Sequence, residues 1–344
     1  MKKILSLLLV SALALSLAAC GDSTSNPEAA TNPTNSSTAS SNVESSDADE
    51  SIVVGFSQVG AESDWRTANT ESMKSTFIEE NGYKLIFDDA QQKQENQITA
   101  IRNFIQQEVD YIILAPVTET GWDTVLQEAK DAQIPVIIVD RMIDVSDDSL
   151  YTCWVGSDFR AEGDEAVAWL DRKYRGAENV NIGHIQGTIG SSAQIGRTDG
   201  LGPGGEAHRN WNIIAQQTGE FTQAKGQEVM ESVLKQFDDI DVVYCENDNE
   251  AFGAIDAIEA AGKTCGVDGD IAIISFDATH AGLAETLAGK INYNVECNPL
   301  HGPRVEKIIQ QMEAGENPDK LAYVEEVSFD AETITQEILD ARAY

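Results

Sequence analysis

The chain has 344 residues, of which 58 are acidic and 23 basic, so its formal net charge at pH 7 is −35. Such a field repels phosphate backbones, and we therefore expect no nucleic-acid partner. The length is sufficient for two domains, each with its own core.

The first 20 residues have the pattern of an export signal. A basic start precedes an apolar run at 4–19, which is too short for a comfortable membrane span. Residues 17–20, Leu-Ala-Ala-Cys, are similar to the bacterial lipobox, in which the cysteine is acylated after cleavage. We expect lipid attachment at Cys20, and the alternative is an ordinary secretory peptide with a chance cysteine at this position.

Residues 21–50 contain almost no large apolar side chains but many Ser, Thr, Asn, Asp and Pro. A segment of this composition does not bury enough surface to offset its chain entropy. We predict a disordered tether that would hold a folded domain near the outer face of the cell membrane without embedding it.

From Ser51 onward, short β-branched segments alternate with longer amphipathic ones. This pattern is typical of a parallel sheet covered by helices, and it occurs in both halves of the chain. The sequence therefore predicts an α/β protein with two such arrays in tandem. Strands are predicted at 52–57, 84–88, 110–115, 136–140, 179–185, 212–216, 240–245, 271–276 and 291–296, and helices near 65–80, 93–107, 119–132, 160–174, 222–237, 249–262, 280–288 and 301–314.

Polar residues stand at the ends of the predicted strands in both halves. Ligands bind beyond the carboxyl ends of the strands in open α/β sheets, because loops and helix N-termini converge there. Two such edges facing each other would enclose a small polar molecule, and the alternative is that these residues are helix N-caps and turn formers. The residues are Ser57, Gln58, Asp88, Asp89, Asp140, Arg141, Gln186, Gly187, Glu246, Asn247, Asp248 and Asp277.

Four cysteines follow Cys20, at Cys153, Cys245, Cys265 and Cys297. They form no CxxC pair, and no His/Cys spacing suits a metal site. Disulfides are possible outside the cell, but the sequence does not choose among the three pairings. We expect neither a metal nor a cofactor.

The glycine-rich segment 200–205 formally matches the dinucleotide-binding pattern GxGxxG. It does not directly follow a predicted strand and Pro203 interrupts it, so we expect no nucleotide site. The sequence also has no P-loop, HExxH or GxSxG motif, which argues against nucleotide hydrolysis, zinc proteolysis and ester hydrolysis.

A series of short segments spread over residues 51–330 carries a resemblance to a known family. The segments are Gly55–Gln58, Ser63–Arg66, Gln91–Gln97, Ala115–Val117, Gly121–Trp122, Asp140–Arg141, Gln186–Thr188, Gly219–Thr222, Gly226–Ser232, Asn247–Asp248 and Asp277. They resemble the periplasmic sugar-binding proteins of the ribose/galactose type, and most closely the galactofuranose-binding members. The long run Gln91–Gln97 is specific to that subgroup, whereas Asp140–Arg141 marks only the wider superfamily.

The resemblance implies the type I periplasmic-binding-protein fold, in which two Rossmann-like lobes are joined by three crossovers and a hinge closes over one monosaccharide. It implies an N-terminal lobe of residues 51–157 and 298–324. The C-terminal lobe would comprise residues 158–297 and 325–344.

The resemblance also implies which residues contact the sugar. An indole would cover the apolar C–H face of the ring, carboxylates would accept from hydroxyl groups, and guanidinium forks would donate to them. The implied contacts are Trp65, Arg66, Asp140 and Arg141 from the first lobe and Arg197, Asn247 and Asp277 from the second.

The chain departs from the family pattern at two places. Relatives have a continuous helix after the position of Arg197, but glycine and proline at the density found in 200–205 oppose a helix. Relatives often have an amide near the second crossover, where this chain has Cys297 and Asn298, and either residue is a candidate to face the ligand.

In function, the resemblance implies a monomeric solute receptor, not an enzyme, that delivers its sugar to the permease and ATPase subunits of an ABC importer. Galactofuranose or galactose is the first choice, and fructose, ribose, arabinose or xylose are alternatives. A sensory module for a membrane kinase or chemoreceptor is a second hypothesis. A surface glycosidase is a third; it would pair Asp88 with Asp89 or Asp140 with Asp277. The adjacent Asp88 and Asp89 would point in different directions on a strand.

Overall fold

The computed structural model describes residues 51–202, 208 and 210–344. The predicted export signal, the tether and Cys20 lie outside the described residues, and so do residues 203–207 and 209, which include the end of the glycine-rich segment.

The described chain alternates strands and helices, as predicted. The strands are β1 Ile52–Gln58, β2 Tyr83–Asp89, β3 Tyr111–Leu114, β4 Val136–Val139, β5 Cys153–Gly156, β6 Val180–Gln186, β7 Trp211–Thr218, β8 Val242–Cys245, β9 Ala272–Asp277, β10 Tyr293–Glu296, β11 Leu321–Tyr323 and β12 Ser328–Asp330. The α-helices are α1 Asp64–Thr76, α2 Gln94–Gln106, α3 Asp123–Asp131, α4 Phe159–Lys173, α5 Ser192–Leu201, α6 Gln223–Gln236, α7 Asp248–Ala260, α8 His280–Leu287, α9 Gly302–Glu313 and α10 Gln336–Ala341. Within the described part of the chain, no helix is both long enough and apolar enough to cross a membrane.

The strands form two six-stranded sheets. The order is β11-β5-β4-β3-β1-β2 in the first sheet and β12-β10-β9-β8-β6-β7 in the second. All pairs are parallel except β10 with β12, which is antiparallel. The predicted fold class, with two α/β lobes built on parallel sheets, is confirmed.

Each sheet has an apolar core on both faces. In β3, Ile113 packs with residues of α1 and α9, whereas Ile112 and Leu114 pack with residues of α2 and α3. The second sheet is covered by α6 and α7 on one face and by α4 on the other. Because helices cover both faces, the central strands are continuous apolar runs with no polar alternation.

The chain passes between the two sheets three times. The crossovers run from β5 to α4, from β10 to α9, and from β11 to β12. Helix α4 packs on the second sheet, where Trp169 stacks on Tyr293 with ring centroids 5.5 Å apart. The carboxyl ends of both sheets therefore lie beside the same three connections.

Several short elements were missed by the sequence prediction, namely β5, β11, β12, α5 and α10. The strands have only three or four residues, which is too few to show a period. The interpretation that the glycine-rich segment opposes a helix was wrong for Gly200, since α5 continues to Leu201. Gly202 is the C-cap of this helix, and its φ of 83° requires glycine.

The glycines of α5 allow a close approach to α4. A Cβ atom on Gly200 would lie 2.3 Å from the Cα of Gly163, and one on Gly196 would lie 2.6 Å from the Cβ of Phe159. Gly196 and Gly200 are four residues apart and share one face of the helix. Their presence is therefore explained by helix packing.

We predict that Gly200→Ala lowers the free energy of unfolding by about 1–3 kcal/mol, because the added methyl group overlaps backbone atoms of α4. The matched control is Gly183→Ala, where the nearest atom to the new Cβ is Val233 Cγ1 at 3.6 Å. Urea unfolding of the two variants checks this, and equal stability would contradict the packing argument.

Candidate ligand-binding site

A cavity lies between the carboxyl ends of the two sheets. All residues predicted to contact a ligand line it, and none of them is more than 4 % exposed. The lining residues are Glu62, Ser63, Trp65, Arg66, Asp140, Arg141, Phe159, Ala193, Arg197, Phe221, Asn247, Asp277 and Cys297.

The start of α1 positions the first arginine of the cavity. Ser63 is the N-cap, and its side chain accepts a hydrogen bond from the backbone N–H of Arg66 at 3.1 Å. The guanidinium of Arg66 then donates to Glu62 Oε1 at 3.0 Å and lies 2.7 Å from Asp140 Oδ2. It also donates to Gln58 at 3.2 Å. Arg66 therefore joins β1, α1 and the end of β4.

Arg141 completes the charged group of the first lobe. It donates to the backbone oxygen of Val117 at 3.0 Å and lies 3.7 Å from Glu62. Burial and the nearby charge of Arg66 lower the pKa of Arg141 to about 10. Burial opposes ionisation of Asp140, but Arg66 and Arg141 outweigh it and lower the pKa of this carboxyl below its usual range.

Arg197 has the corresponding place in the second lobe. Its Nε donates to Glu162 Oε2 at 2.7 Å, and its Nη2 lies 3.4 Å from Asp277 Oδ1. Its Nη1 donates to the backbone oxygen of Glu246, and its own carbonyl accepts from the hydroxyl of Tyr244 at 2.9 Å. These bonds fix Arg197 against α4, β8 and β9.

Two aspartates have left-handed backbone conformations at strand ends. Asp140 follows β4 with a φ of 63°, and Asp277 ends β9 with a φ of 97°. A non-glycine residue in this region costs on the order of 1–3 kcal/mol. Both aspartates line the cavity, so this strain is concentrated at the proposed contacts.

Aromatic side chains form the apolar part of the wall. Trp65, Phe159 and Phe221 pack in one buried cluster with Cys297. The indole N–H of Trp65 donates to the backbone oxygen of Cys297 at 2.6 Å, which fixes the ring against the second crossover. Apolar ring faces beside buried arginines and carboxylates suit a ligand that has a C–H face and hydroxyl groups.

Glu62, Phe159 and Phe221 line the cavity, although none of them was predicted as a ligand contact. Phe221 lies within Gly219–Thr222, one of the segments that carried the family resemblance, so a signal for it was present. Glu62 precedes the N-cap of α1 and Phe159 begins α4, and no sequence pattern marks either as a cavity residue.

Asn247 is the N-cap of α7, as the alternative interpretation of the polar strand ends predicts. Its side-chain oxygen accepts from the backbone N–H of Glu250 at 2.8 Å, and its amide donates to the backbone oxygen of Phe221 at 3.1 Å. Asn247 lines the cavity, but the protein already uses both ends of its amide. One N–H remains for a ligand.

Other strand-end residues have structural partners and do not line the cavity. Asp248 accepts from Ser275, Thr279 and Asn294, all at 2.7–2.8 Å. Asp88 and Asp89 end β2 at the edge of the first sheet, away from the cavity-lining residues. The pair Asp88 and Asp89 therefore has no place in this site.

The side chains of two residues at the second crossover have different surroundings. Cys297 lines the cavity, whereas the side-chain oxygen of Asn298 accepts a hydrogen bond from the backbone N–H of Leu300 at 3.0 Å. Of the two candidates, Cys297 is therefore the one that lines the cavity. Cys153, Cys245, Cys265 and Cys297 are all free thiols.

The two lobes touch directly at the rim of the cavity. The backbone N–H of Asp64 donates to Asn249 at 3.0 Å, and that of Met142 donates to Ser192 at 2.8 Å. A backbone bond of 2.9 Å joins Glu119 to Gly190. These contacts close the lobes over the cavity.

Two lobes with a polar and aromatic cavity at their facing sheet edges define a protein that binds a small molecule by closing around it. The sequence profile described as "Periplasmic binding protein domain" matches residues 54–301. The chain belongs to this family, and it is a binding protein and not an enzyme.

Three relatives illustrate the similarity. The galactofuranose-binding protein YtfQ of Escherichia coli (strain K12) is 41 % identical over 291 residues, which are 83 % of this chain and 90 % of the relative. A Mycobacterium smegmatis structure in complex with β-D-fucofuranose has a TM-score of 0.79 and 46 % identity, covering 85 % of this chain and 97 % of that one. The binding component of the arabinose ABC transporter from Shewanella sp. ANA-3, bound to L-arabinofuranose, has a TM-score of 0.78 and 43 % identity, covering 85 % and 95 %.

We predict a pH dependence of stability from Asp277. Burial raises its pKa to about 7, with Arg197 only partly offsetting the effect, whereas the ordinary value is 3.8. A raised carboxyl pKa means that the folded protein holds this proton more tightly than the unfolded chain does. The stabilisation that results is fully present below about pH 4 and is lost as pH rises through 7. Without ligand, the free energy of unfolding of the wild-type protein should therefore fall by up to roughly 4 kcal/mol relative to that of Asp277→Asn between pH 4 and pH 8.

Urea unfolding at pH 5 and pH 8 measures this difference. Asp270→Asn is the control, because hydrogen bonds from Thr264 lower the pKa of this exposed carboxyl, so it stays ionised over the whole range. A difference between Asp277→Asn and wild type that does not change with pH would contradict the prediction.

Proposed function

We propose that the protein captures one monosaccharide in its furanose form, with galactofuranose as the first choice, and delivers it to an ABC importer. The observation that carries this proposal is the lining of the cavity, in which paired arginines and carboxylates face an aromatic wall. The relatives named above support the furanose form of the ligand, since they bind galactofuranose, fucofuranose or arabinofuranose.

The charge balance of the cavity favours a neutral ligand. Each guanidinium already has carboxylate partners: Arg66 pairs with Glu62 and Asp140, and Arg197 pairs with Glu162 and Asp277. An anionic ligand would compete with these pairs, whereas sugar hydroxyls both donate and accept and so extend them. Hydrogen bonds to charged groups contribute roughly 1.5–3 kcal/mol each, which suffices to distinguish sugars by single hydroxyl groups.

Within this proposal, Asp140 and Asp277 accept from hydroxyl groups, and Arg66, Arg141 and Arg197 donate to them. Trp65 covers a C–H face of the ring, and Asn247 contributes its remaining N–H. We add Phe159 and Phe221 as apolar contacts from the second lobe, because both line the cavity beside the indole.

The arrangement in the cell is also a proposal. The sequence pattern of residues 1–50 supports lipid attachment at Cys20 and a tether that holds the lobes at the outer face of the cell membrane. We propose the lobe boundaries 51–157 with 298–324 and 158–297 with 325–344. The membership of β11 in the first sheet and of β12 in the second supports this division. The closed, monomeric form would dock on the permease and its ATPase subunits.

Calorimetric titration tests the ligand class. Galactose, fucose, arabinose, fructose, ribose and xylose are titrated into the protein, and we expect micromolar or tighter binding of at least one. The ring form is read from the anomeric carbon signal of a ¹³C-labelled sugar in the complex. Binding of none of these sugars, or of a pyranose alone, would contradict the proposal.

Asp140→Asn should weaken sugar binding by about 10- to 100-fold, since it removes a charged acceptor while keeping the shape of the side chain. Asp88→Asn is the matched control, because this aspartate ends a strand of the same sheet but does not line the cavity. An equal loss of affinity in both variants would show that the cavity assignment is wrong.

A further inference from the structure

A second, acidic cavity lies beside the three crossovers. It has a volume of about 520 Å³ and is open to solvent. We refer to it as the hinge groove, and the carboxylates that line it are Asp158, Glu162, Glu165, Glu296 and Glu326. No lysine or arginine is among the described residues that line this groove.

Three side chains from different crossovers converge next to this groove. Glu162 lies in the first turn of α4, just after the first crossover, Cys297 lies in the second, and Glu326 in the third. A carboxylate oxygen of each glutamate and the sulfur of Cys297 lie within 4.8 Å of one another. Atoms at this separation can share one metal ion.

Glu162 has an oxygen that the protein leaves unpaired. The residue is 4 % exposed, its Oε2 accepts from Arg197, and its Oε1 has no hydrogen-bond partner among the described residues. A buried carboxylate oxygen without a hydrogen-bond partner is destabilising. This oxygen is an independent indication that the cluster takes a positively charged ligand.

Ser157 orients the other two side chains. Its hydroxyl donates to Glu326 Oε1 at 2.7 Å and lies 3.3 Å from the sulfur of Cys297. The backbone N–H of Asn298 holds the same oxygen of Glu326 at 2.6 Å. Partners of this kind fix the direction of metal ligands before the ion arrives.

We propose that Glu162, Cys297 and Glu326 form a binding site for a thiophilic divalent cation of the Zn²⁺ type at the hinge. One thiolate and two carboxylates are ligands that zinc accepts, and water from the hinge groove can supply the fourth. The ligands come from positions far apart in the sequence, which is why no local spacing predicts the site.

The site would act on the hinge and on the ligand cavity together. One ion would join all three crossovers and restrict their relative movement. Glu162 also holds Arg197 in the ligand cavity through its other oxygen. Cation and cavity ligand should therefore change each other's affinity by the same factor. The metal site itself does not depend on which ligand the cavity takes.

Cobalt and zinc titrations of the purified protein test the site. We expect one Co²⁺ per chain with a thiolate-to-cobalt charge-transfer absorption, and displacement of cobalt by Zn²⁺. Cys297→Ser should abolish that absorption, and Glu326→Gln should weaken Zn²⁺ binding at least tenfold. The controls are Cys265→Ser, which removes a thiol elsewhere, and Glu165→Gln, which removes a groove carboxylate outside the cluster.

The absence of a thiolate–cobalt absorption would overturn the proposal, and so would its persistence in Cys297→Ser or its loss in Cys265→Ser. Circular dichroism and urea unfolding of each variant establish that it is folded. If Cys297→Ser does not fold, Glu326→Gln and Glu165→Gln decide, because equal zinc affinity in these two variants would also exclude the site. If the protein binds a sugar but not zinc, the inference of a metal site is overturned and the proposed sugar-binding function is not.

Discussion

The ligand cavity of the first lobe depends on the buried ion pairs that the guanidinium of Arg66 forms with Glu62 and Asp140. An ionised side chain taken out of water is costly unless opposite charges and hydrogen bonds surround it. The pairs therefore have to form when the chain folds, before any ligand arrives. The cavity is consequently lined by side chains whose directions are already set, which reduces the entropy that a ligand must overcome on binding.

The second lobe repeats this arrangement at equivalent positions. In each lobe the helix after the first strand carries the arginine, Arg66 on α1 and Arg197 on α5, and the end of the fourth strand carries the aspartate, Asp140 or Asp277. Both aspartates also have a positive φ. The cavity is thus built from two copies of one arginine–aspartate unit, brought face to face by the crossovers. The copies differ in charge, since Asp140 has a second arginine beside it and a lowered pKa, whereas that of Asp277 is raised.

Strand and helix periodicity predicted the alternating α/β order, and the polar strand ends indicated the edge where the cavity lies. Asp140, Arg141 and Asp277 were found in this way because they are polar residues that stand at the ends of buried strands. Trp65, Arg66 and Arg197 depended on the family resemblance, since nothing in a helix start distinguishes a cavity residue from a surface one. Glu62 and Phe159 escaped both approaches because tertiary contacts alone give them their role. The short strands β11 and β12 were missed because three residues carry no period.

Those two short strands have a consequence for how the protein folds. The chain supplies β11 to the first sheet and β12 to the second only after all the other strands have been made. Each sheet therefore lacks one of its edge strands until the C-terminal segment is available. The pairing of β11 with β5 also joins residues that are far apart in the sequence. Contacts of such sequence separation slow folding. A nascent chain of this topology therefore completes neither sheet until the segment that carries β11 and β12 has been made.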